Sequence, residues 1–134
     1  MSSTDPRDLL GTWQLSRRVD DRLGPVRHVH GTSELSLDDD GRIRWSENGT
    51  MTWEGGSAPI YRTLFVEQRD DGWWVTFDDG RDFHPWETDA PVVHPCGADV
   101  YEGRIDTAAS DAWAVVWNVT GPAKDYTMTS RLTR

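Results

Sequence analysis

Apolar and polar residues alternate along most of the chain, in short segments separated by turn signals. Alternation with a period of two is typical of strands buried on one face, and close turns between such strands indicate antiparallel hairpins. The turn signals are Asp40-Gly41, Asn48-Gly49, Gly55-Gly56, Asp71-Gly72, Asp79-Gly80 and Gly121-Pro122. The pattern predicts eight to ten strands, near residues 12–19, 28–37, 41–48, 50–54, 60–67, 73–78, 81–86, 92–105, 111–119 and 124–133.

One helical segment is predicted, over residues 4–10 before the first strand. Thr4 or Asp5 is a suitable cap, Pro6 is a suitable first residue, and Gly11 ends the turn. No stronger stripe of apolar residues with helical spacing competes with the strands. The sequence therefore predicts an all-β chain that begins with a short helical turn.

So many sequential antiparallel strands in 134 residues favour closure into a single up-and-down β-barrel, because closure removes exposed strand edges that promote aggregation. A sandwich of two sheets is the alternative fold. The length suits one domain over residues 1–134, in which residues 1–8 form a loose N-terminal turn. A barrel of about eight strands is also wide enough to hold one small ligand.

Charged residues fall on the apolar face of three predicted strands. Arg17 shares a face with Trp13, Leu15 and Val19, Glu47 with Ile43 and Trp45, and Arg62 with Ile60, Leu64 and Val66. Burying a charge costs several kcal/mol unless the charge is paired. Two arginines and a glutamate inside a barrel therefore indicate either a closed salt-bridge network or a site for a ligand or a reaction.

Tryptophan is frequent in this chain, with eight Trp against three Phe and three Tyr. The predicted inner faces carry Trp13, Trp45, Trp113 and Trp117, whereas Trp53, Trp73, Trp74 and Trp86 lie near turns and are expected at the mouth of the barrel. An interior rich in indole rings suits a flat aromatic ligand better than a long fatty acid.

The net charge of −9 argues against nucleic-acid binding, which needs a basic surface. The first ten residues contain no apolar run typical of a signal peptide, and no run of eighteen apolar residues follows elsewhere. A single cysteine, Cys96, excludes an intramolecular disulfide. We therefore expect a cytoplasmic monomer or homodimer whose partner is a small molecule, with no nucleic acid and no membrane.

The leading functional prediction is recognition of a small aromatic or anionic molecule inside the barrel. Arg17 and Arg62 would bind the negative charge, and aromatic rings would define the shape of the cavity. The predicted ligand-binding residues are Arg17, Arg62, Trp45, Trp117, Tyr126 and Phe77. No cofactor is predicted.

The same interior also suits an isomerase, cyclase or lyase that works without a cofactor. His84 or Glu47 is the candidate general base, and a cation or a phenol would stabilise an enolate-like charge. The predicted catalytic residues are His84, Glu47, Tyr101, Asp99 and Lys124. His84 follows the Asp79-Gly80 turn, where irregular backbone is expected to aim its side chain into the mouth.

Metal or haem binding through His84, His94 and Cys96 is a third hypothesis, because imidazole and thiolate ligands suit zinc or iron. However, Pro95 and Gly97 are unfavourable for regular strand geometry, and no His-x-His or His-Glu-x-x-His spacing is present. The sequence leaves the binding, enzymatic and metal hypotheses open.

The segment Gly11-Thr12-Trp13 resembles the Gly-x-Trp start of the lipocalins and fatty-acid-binding proteins, the calycin group. That resemblance implies that Trp13 plugs the floor of the barrel and that an arginine near the end of the chain, Arg131 or Arg134, packs across its indole.

Nearly the whole chain also resembles a bacterial lipocalin-like family catalogued as a domain of unknown function. The residues that carry this resemblance are Gly11, Trp13, Arg17, Glu47, Gly49, Tyr61, Arg62, Phe77, Asp79, Gly80, Arg81, Phe83, His84, His94, Cys96, Gly97, Asp99, Tyr101, Trp113, Trp117, Gly121, Pro122, Lys124, Asp125 and Tyr126. The resemblance implies a barrel fold and brings no activity with it.

Overall fold

A computed structural model describes residues 3–134, which contain ten strands and one short 3₁₀ helix. The elements are the 3₁₀ helix (Pro6–Leu9), β1 (Gly11–Asp21), β2 (Arg27–Leu37), β3 (Ile43–Trp53), β4 (Gly56–Arg69), β5 (Gly72–Phe77), β6 (Asp82–Pro85), β7 (Pro91–Cys96), β8 (Asp99–Asp106), β9 (Ala112–Thr120) and β10 (Asp125–Thr133). The described residues form no helix long and apolar enough to cross a membrane.

All ten strands belong to one antiparallel sheet, in the order β6-β5-β4-β3-β2-β1-β10-β9-β8-β7. Each strand pairs with its neighbour in sequence except at the step from β6 to β7, and β1 pairs with β10. The sheet curls into a nearly closed barrel in which β6 and β7 face each other across a seam, with the rings of Phe83 and His94 only 5.2 Å apart. The predicted all-β barrel of eight to ten strands is confirmed.

The N-terminal helical turn forms as predicted. Asp5 caps it, because its side chain accepts a hydrogen bond from the backbone N–H of Arg7 at 2.9 Å, and Pro6 is its first residue. Residues 1 and 2, which belong to the predicted loose turn over residues 1–8, lie outside the described residues.

Two predicted strand boundaries are wrong. The Asn48-Gly49 pair lies in the middle of β3, where Gly49 faces Gly31 of β2. A Cβ atom on Gly49 would lie 2.5 Å from the carbonyl oxygen of His30, so glycine serves a close approach of two strands here instead of a turn. Conversely, the segment predicted as one strand over residues 92–105 divides into β7 and β8, because Gly97 has a φ of 61° and forms a turn.

The inner face of the barrel follows the predicted alternation, and burial changes along it. At one end, here called the floor, the inward side chains are fully buried. At the other end, here called the mouth, several inward side chains are only partly buried: Met51, Ile60, Arg62, Phe77, His94, Tyr101, Tyr126 and Met128. The barrel is therefore closed at the floor and accessible at the mouth.

Four indoles pack against one another at the floor: Trp13, Trp45, Trp86 and Trp113. The indole N–H of Trp13 donates to the carbonyl of Leu9 at 2.9 Å. Trp86, expected at the mouth, is instead only 4% exposed and donates its N–H to the carbonyl of Thr4. The segment between β6 and β7 returns to the floor, and that path brings Trp86 inward.

One of the two candidate arginines covers Trp13. The guanidinium carbon of Arg134 lies 3.9 Å from the centre of the Trp13 ring, and its Nη1 donates to the carbonyl of Leu10 at 2.8 Å. The assignment of Arg131 to the floor is wrong, because Arg131 alternates with the inward Ser130 and Leu132 and its side chain is exposed.

Candidate functional site

Three charged side chains meet inside the barrel, between the floor and the mouth. Glu47 is only 1% exposed, and its Oε1 accepts hydrogen bonds from Nη2 of Arg17 at 2.7 Å and from Nη2 of Arg62 at 3.0 Å. Arg62 lies directly opposite Glu47 in the β3–β4 ladder, whereas Arg17 reaches Glu47 from β1 across β2. The inward charges predicted from the strand pattern therefore form one cluster.

Two serines complete this cluster. Ser33 donates to Oε2 of Glu47 at 3.3 Å, and Ser130 accepts from Nε of Arg17 at 2.7 Å. Ser33 also accepts the indole N–H of Trp45 at 2.8 Å. Trp45 was predicted to contact a ligand, but the structure places it in the packed floor as a support for Ser33 and hence for Glu47.

The cluster keeps Glu47 ionised. Burial alone would raise the pKa of this carboxyl. The positive charges of Arg62 and Arg17, with the hydrogen bonds from Arg17 and Ser33, outweigh burial and lower the pKa below its usual value. The three charged groups thus carry two positive charges and one negative charge, which leaves a net charge of about +1 inside the barrel.

Arg62 carries the part of that charge that solvent can reach. Its side chain lies on the inner face of β4 and is 34% exposed. Burial lowers the pKa of Arg62, and the charge of Glu47 opposes that effect. Among residues 3–134, Glu47 is the one side-chain hydrogen-bond partner of Arg62, so the other guanidinium donors point to solvent in the mouth.

His84 lies in the same interior, on β6, next to a bulge in that strand. Val75 pairs with His84 and Thr76 pairs with Asp82, so Phe83 is an extra residue in the ladder. Both Phe83 and His84 are consequently buried, which regular alternation forbids. The irregular backbone predicted after the Asp79-Gly80 turn is therefore present, and it turns Phe83 inward beside His84.

The imidazole of His84 is only 3% exposed and is neutral at pH 7. Burial lowers its pKa to about 4, although the hydrogen bond of Nδ1 with the carbonyl of Pro85 favours the charged form. The neighbouring His94 and the charge of Arg62 lower the pKa further. His84 is thus a weak base that stays uncharged beside Arg62.

Aromatic side chains form one wall of the mouth. The ring of Phe83 stacks on Phe77 with centroids 4.6 Å apart and on Trp117 at 5.1 Å. Trp117 also contacts the ring of Tyr101 at 6.3 Å. Gly103 lies opposite Trp117, and a Cβ atom there would lie 2.5 Å from the indole. The predicted ligand-binding residues Phe77 and Trp117 therefore belong to one aromatic stack, with the ring of Phe83 between them.

A polar group lies at the rim, beyond this wall. Nζ of Lys124 donates to the hydroxyl of Tyr101 at 3.1 Å and lies 3.2 Å from Oδ2 of Asp99. These contacts raise the pKa of Lys124, with the Tyr101 hydrogen bond as the largest cause. Burial and the neighbouring Tyr101 raise the pKa of Tyr126. Asp99 and Lys124, predicted as catalytic residues, thus form an ion pair at the edge of the site.

The metal hypothesis is wrong in the form in which it was predicted. Within residues 3–134, no group of three His, Cys, Asp or Glu side chains is arranged to hold a metal ion. Cys96 is exposed near the β7–β8 turn, whereas His84 is buried and bonded to Pro85. Haem binding stays a prediction.

A separate cavity of about 550 Å³ lies on the surface near the floor. Its lining includes Asp5, Asp71, Glu87 and the indoles of Trp73 and Trp74. None of the buried charges lines it, so we place the candidate site at the mouth, where the chemistry is concentrated.

Sequence reasoning missed three contributors to this site. Ser33 and Ser130 lie at inward positions of their strands, and a small hydroxyl residue at such a position is a signal for a buried polar contact. Phe83 was missed because alternation from His84 assigns it to the outer face, and the bulge that turns it inward leaves no clear mark in the sequence.

A family model described as "Family of unknown function (DUF6314)" matches residues 9–134. No curated protein matches the chain in sequence. The predicted resemblance is confirmed to the extent of a domain of unknown function with a barrel fold.

Several solved structures are similar in fold. The S-type phycobiliprotein lyase CPES from Guillardia theta has 15% identity and a TM-score of 0.61, over 95% of this chain and 87% of that one. The redesigned β-barrel mFAP0, bound to DFHBI, has 17% identity and a TM-score of 0.55, over 95% and 99%. A protein of unknown function from the DUF3598 family of Nostoc punctiforme has 15% identity and a TM-score of 0.59, over 99% of this chain and 49% of that one. This chain thus spans about half of the DUF3598 protein.

Proposed function

The chain belongs to the DUF6314 family, whose function is unknown, and from its interior we propose that the barrel binds one small anionic molecule with a flat aromatic body. The anion contacts Arg62 at the mouth, and the aromatic body packs against the wall formed by Phe77, Phe83 and Trp117. The observation that carries this proposal is the sharing of one carboxylate, that of Glu47, by two arginines.

An unbalanced positive charge inside a barrel has a cost unless something compensates for it. Arg17 bonds to both Glu47 and Ser130, whereas Arg62 has Glu47 as its one side-chain partner within residues 3–134 and remains partly exposed. An anion in the mouth supplies the missing negative charge and accepts the free guanidinium donors, which favour carboxylate and phosphate groups.

The aromatic wall would bind the flat aromatic body of the ligand. Stacked or edge-on aromatic contacts contribute about 0.5–1.5 kcal/mol each beyond the area they bury. Met51 and Met128 are partly buried against the core on the same inward faces, and flexible thioether side chains adapt to irregular ligand shapes.

The geometry favours binding over proton abstraction. A general base works best with a pKa near the working pH, whereas the pKa of His84 is about 4. Glu47 is ionised, but both arginines hold its Oε1. The proposed isomerase, cyclase or lyase activity thus has weaker support than binding.

The similar structures support the same kind of function. The redesigned barrel mFAP0 is bound to DFHBI, so a barrel of similar fold holds a ligand. The phycobiliprotein lyase is a second barrel with this fold. At 17% and 15% identity, these structures support the choice of ligand binding and leave the ligand to be argued from this chain.

The proposal is tested with a matched pair of probes, 2-naphthoate and its neutral counterpart 2-naphthamide, titrated by isothermal calorimetry. We expect one 2-naphthoate per chain, bound at least about tenfold more tightly than the amide, since a desolvated charge-assisted hydrogen bond contributes more than 1.4 kcal/mol. The variant Arg62→Gln should remove this preference, and it should still fold because Arg17 continues to balance Glu47.

The control is Arg104→Gln, which removes an exposed arginine from the outer face of β8. This variant should bind 2-naphthoate as the parent protein does. Failure of 2-naphthoate to bind, equal affinity for acid and amide, or an unchanged preference in Arg62→Gln would each overturn the proposal.

A further inference from the structure

We propose that the ligand carries a hydrogen-bond donor, an aromatic N–H or O–H group, beside its anionic group, and that it donates to Nε2 of His84. This inference rests on the proposed function and specifies its ligand class: planar aromatic acids with an N–H or O–H on the ring system. It is based on which ring nitrogen of the buried His84 carries the proton and on the groups that surround the other nitrogen.

The contact with Pro85 fixes the tautomer of His84. Nδ1 lies 2.8 Å from the carbonyl oxygen of Pro85, and a carbonyl oxygen only accepts hydrogen bonds. Nδ1 must therefore carry the proton and donate it. In a neutral imidazole, the other nitrogen, Nε2, then has a free lone pair and acts only as an acceptor.

Nε2 has no hydrogen-bond partner among residues 3–134. Within those residues, the buried side-chain atoms that lack both a partner and contact with solvent are Thr76 Oγ1 and Trp113 Nε1. Nε2 of His84 is not one of them, so the small exposed fraction of this side chain includes its lone pair. An acceptor nitrogen with some contact to solvent thus lies on the inward side of β6.

Arg62 lies on the same side of the sheet as His84, two strands away. The strands β4 and β6 are both neighbours of β5, and the charge of Arg62 contributes to lowering the pKa of His84. Both groups lie on inward faces, on β4 and β6 respectively. The site thus presents a cation that attracts an anion and, beside it, a neutral acceptor that attracts an N–H or O–H group.

Packing holds the acceptor in a single orientation. The imidazole contacts the ring of Phe83 at 4.7 Å and the ring of Trp117 at 5.1 Å, and Pro85 holds its far nitrogen. A fixed acceptor discriminates strongly, because a ligand without a donor displaces water and leaves the buried nitrogen unpaired. His84 therefore acts as a specificity-determining residue.

The experiment uses indole-2-carboxylate, indole-3-carboxylate and indole-5-carboxylate, each paired with its N-methyl derivative, in calorimetric titrations of the full chain. At least one N–H acid should bind about tenfold or more tightly than its N-methyl partner. The variant His84→Phe keeps a flat ring of similar size but has no acceptor, so the ratio of the two affinities should fall to about one.

His84→Phe also separates hydrogen bonding from steric exclusion. If the methyl group is rejected for its bulk alone, the preference survives in His84→Phe and the inference is overturned. It is equally overturned if no N–H acid is preferred in the parent protein, or if none binds while 2-naphthoate does. A different result would overturn the proposed function: a parent protein that binds 2-naphthoate no more tightly than 2-naphthamide.

A second measurement needs no substitution and covers the case in which His84→Phe does not fold. Long-range ¹H–¹⁵N spectra distinguish an unprotonated from a protonated imidazole nitrogen. Nε2 of His84 should be unprotonated in the free protein, and its resonance should shift with the N–H acid but not with the N-methyl acid. A protonated Nε2 in the free protein, or the same shift with both acids, would contradict the inference.

Discussion

Arg17 and Glu47 form an ion pair of 2.7 Å inside the barrel, although the strands that carry them are not neighbours. Arg17 lies on β1 and Glu47 on β3, and the guanidinium passes over β2 to reach the carboxylate. The pair thus connects three strands through side chains in addition to the backbone ladder. Its partners on both sides, Ser33 and Ser130, are buried as well.

The substitution Glu47→Gln should therefore be strongly destabilising. It leaves two arginine charges in the interior with no carboxylate, and breaking a buried pair from one side costs about 3–5 kcal/mol. Urea unfolding at pH 7 measures the change in the free energy of unfolding. The control Asp106→Asn, which removes an exposed ion pair with Arg104, should cost less than about 1 kcal/mol. Equal losses in the two variants would show that the buried cluster is not a unit.

Stability should depend on pH through His84. Its pKa is about 4 in the folded protein and near the ordinary 6.5 in the unfolded chain, so the unfolded state binds more protons between these values. The free energy of unfolding should therefore fall as the pH decreases from about 6.5 to 4, by up to about 3 kcal/mol.

His84→Gln removes this titration and should flatten that part of the profile. Glu47 affects stability at lower pH, because folding lowers the pKa of its carboxyl group. Its contribution to the free energy of unfolding is complete above the ordinary pKa near 4.5, and it is lost as the pH falls through the lowered pKa of the folded protein. Urea unfolding at pH 7 and pH 5 isolates the contribution of His84. Identical losses in the parent protein and the variant would be evidence against a buried neutral imidazole.

Arg134→Ala should destabilise the barrel, whereas Arg131→Ala should not. The guanidinium of Arg134 covers the ring of Trp13 and also donates to the carbonyl of Leu10, so its removal should cost about 1–2 kcal/mol. Arg131 is exposed on the outer face of β10, three residues before Arg134. Thermal unfolding of both variants tests the assignment, and a greater loss in Arg131→Ala would reverse it.

Gly103→Ala should disturb the wall of the site. The added methyl group would lie 2.5 Å from the indole of Trp117, so either the ring or the strand must move, at a cost of about 1–3 kcal/mol. Near-ultraviolet circular dichroism should report the changed environment of Trp117, and 2-naphthoate should bind more weakly. Glu102→Ala, on the outer face of β8, should change neither signal.

The alternation of the strands was enough to predict the barrel and its inward charges. Alternation is a local property, and Arg17, Glu47 and Arg62 follow it without exception. Alternation does not give the curvature of the sheet, which decides which inward side chains come within contact distance. The sharing of Glu47 by two arginines was therefore visible only in the structure.

The wrong predictions share a physical cause, which is that tertiary packing overrode a local signal. Asn48-Gly49 has the composition of a turn, but the absence of a side chain on Gly49 serves the close approach of β3 to β2. Trp86 is near a turn in sequence, but the chain between β6 and β7 carries it to the floor.

The seam between β6 and β7 leaves the sheet with two unpaired strand edges. Unpaired edges are templates on which a second chain can add a strand and begin a fibril. Proline lacks the N–H that such pairing requires, and prolines occur on both edge strands, at Pro85 on β6 and at Pro91 and Pro95 on β7. These prolines remove backbone N–H donors from the two edge strands, which disfavours intermolecular β-sheet growth at the seam.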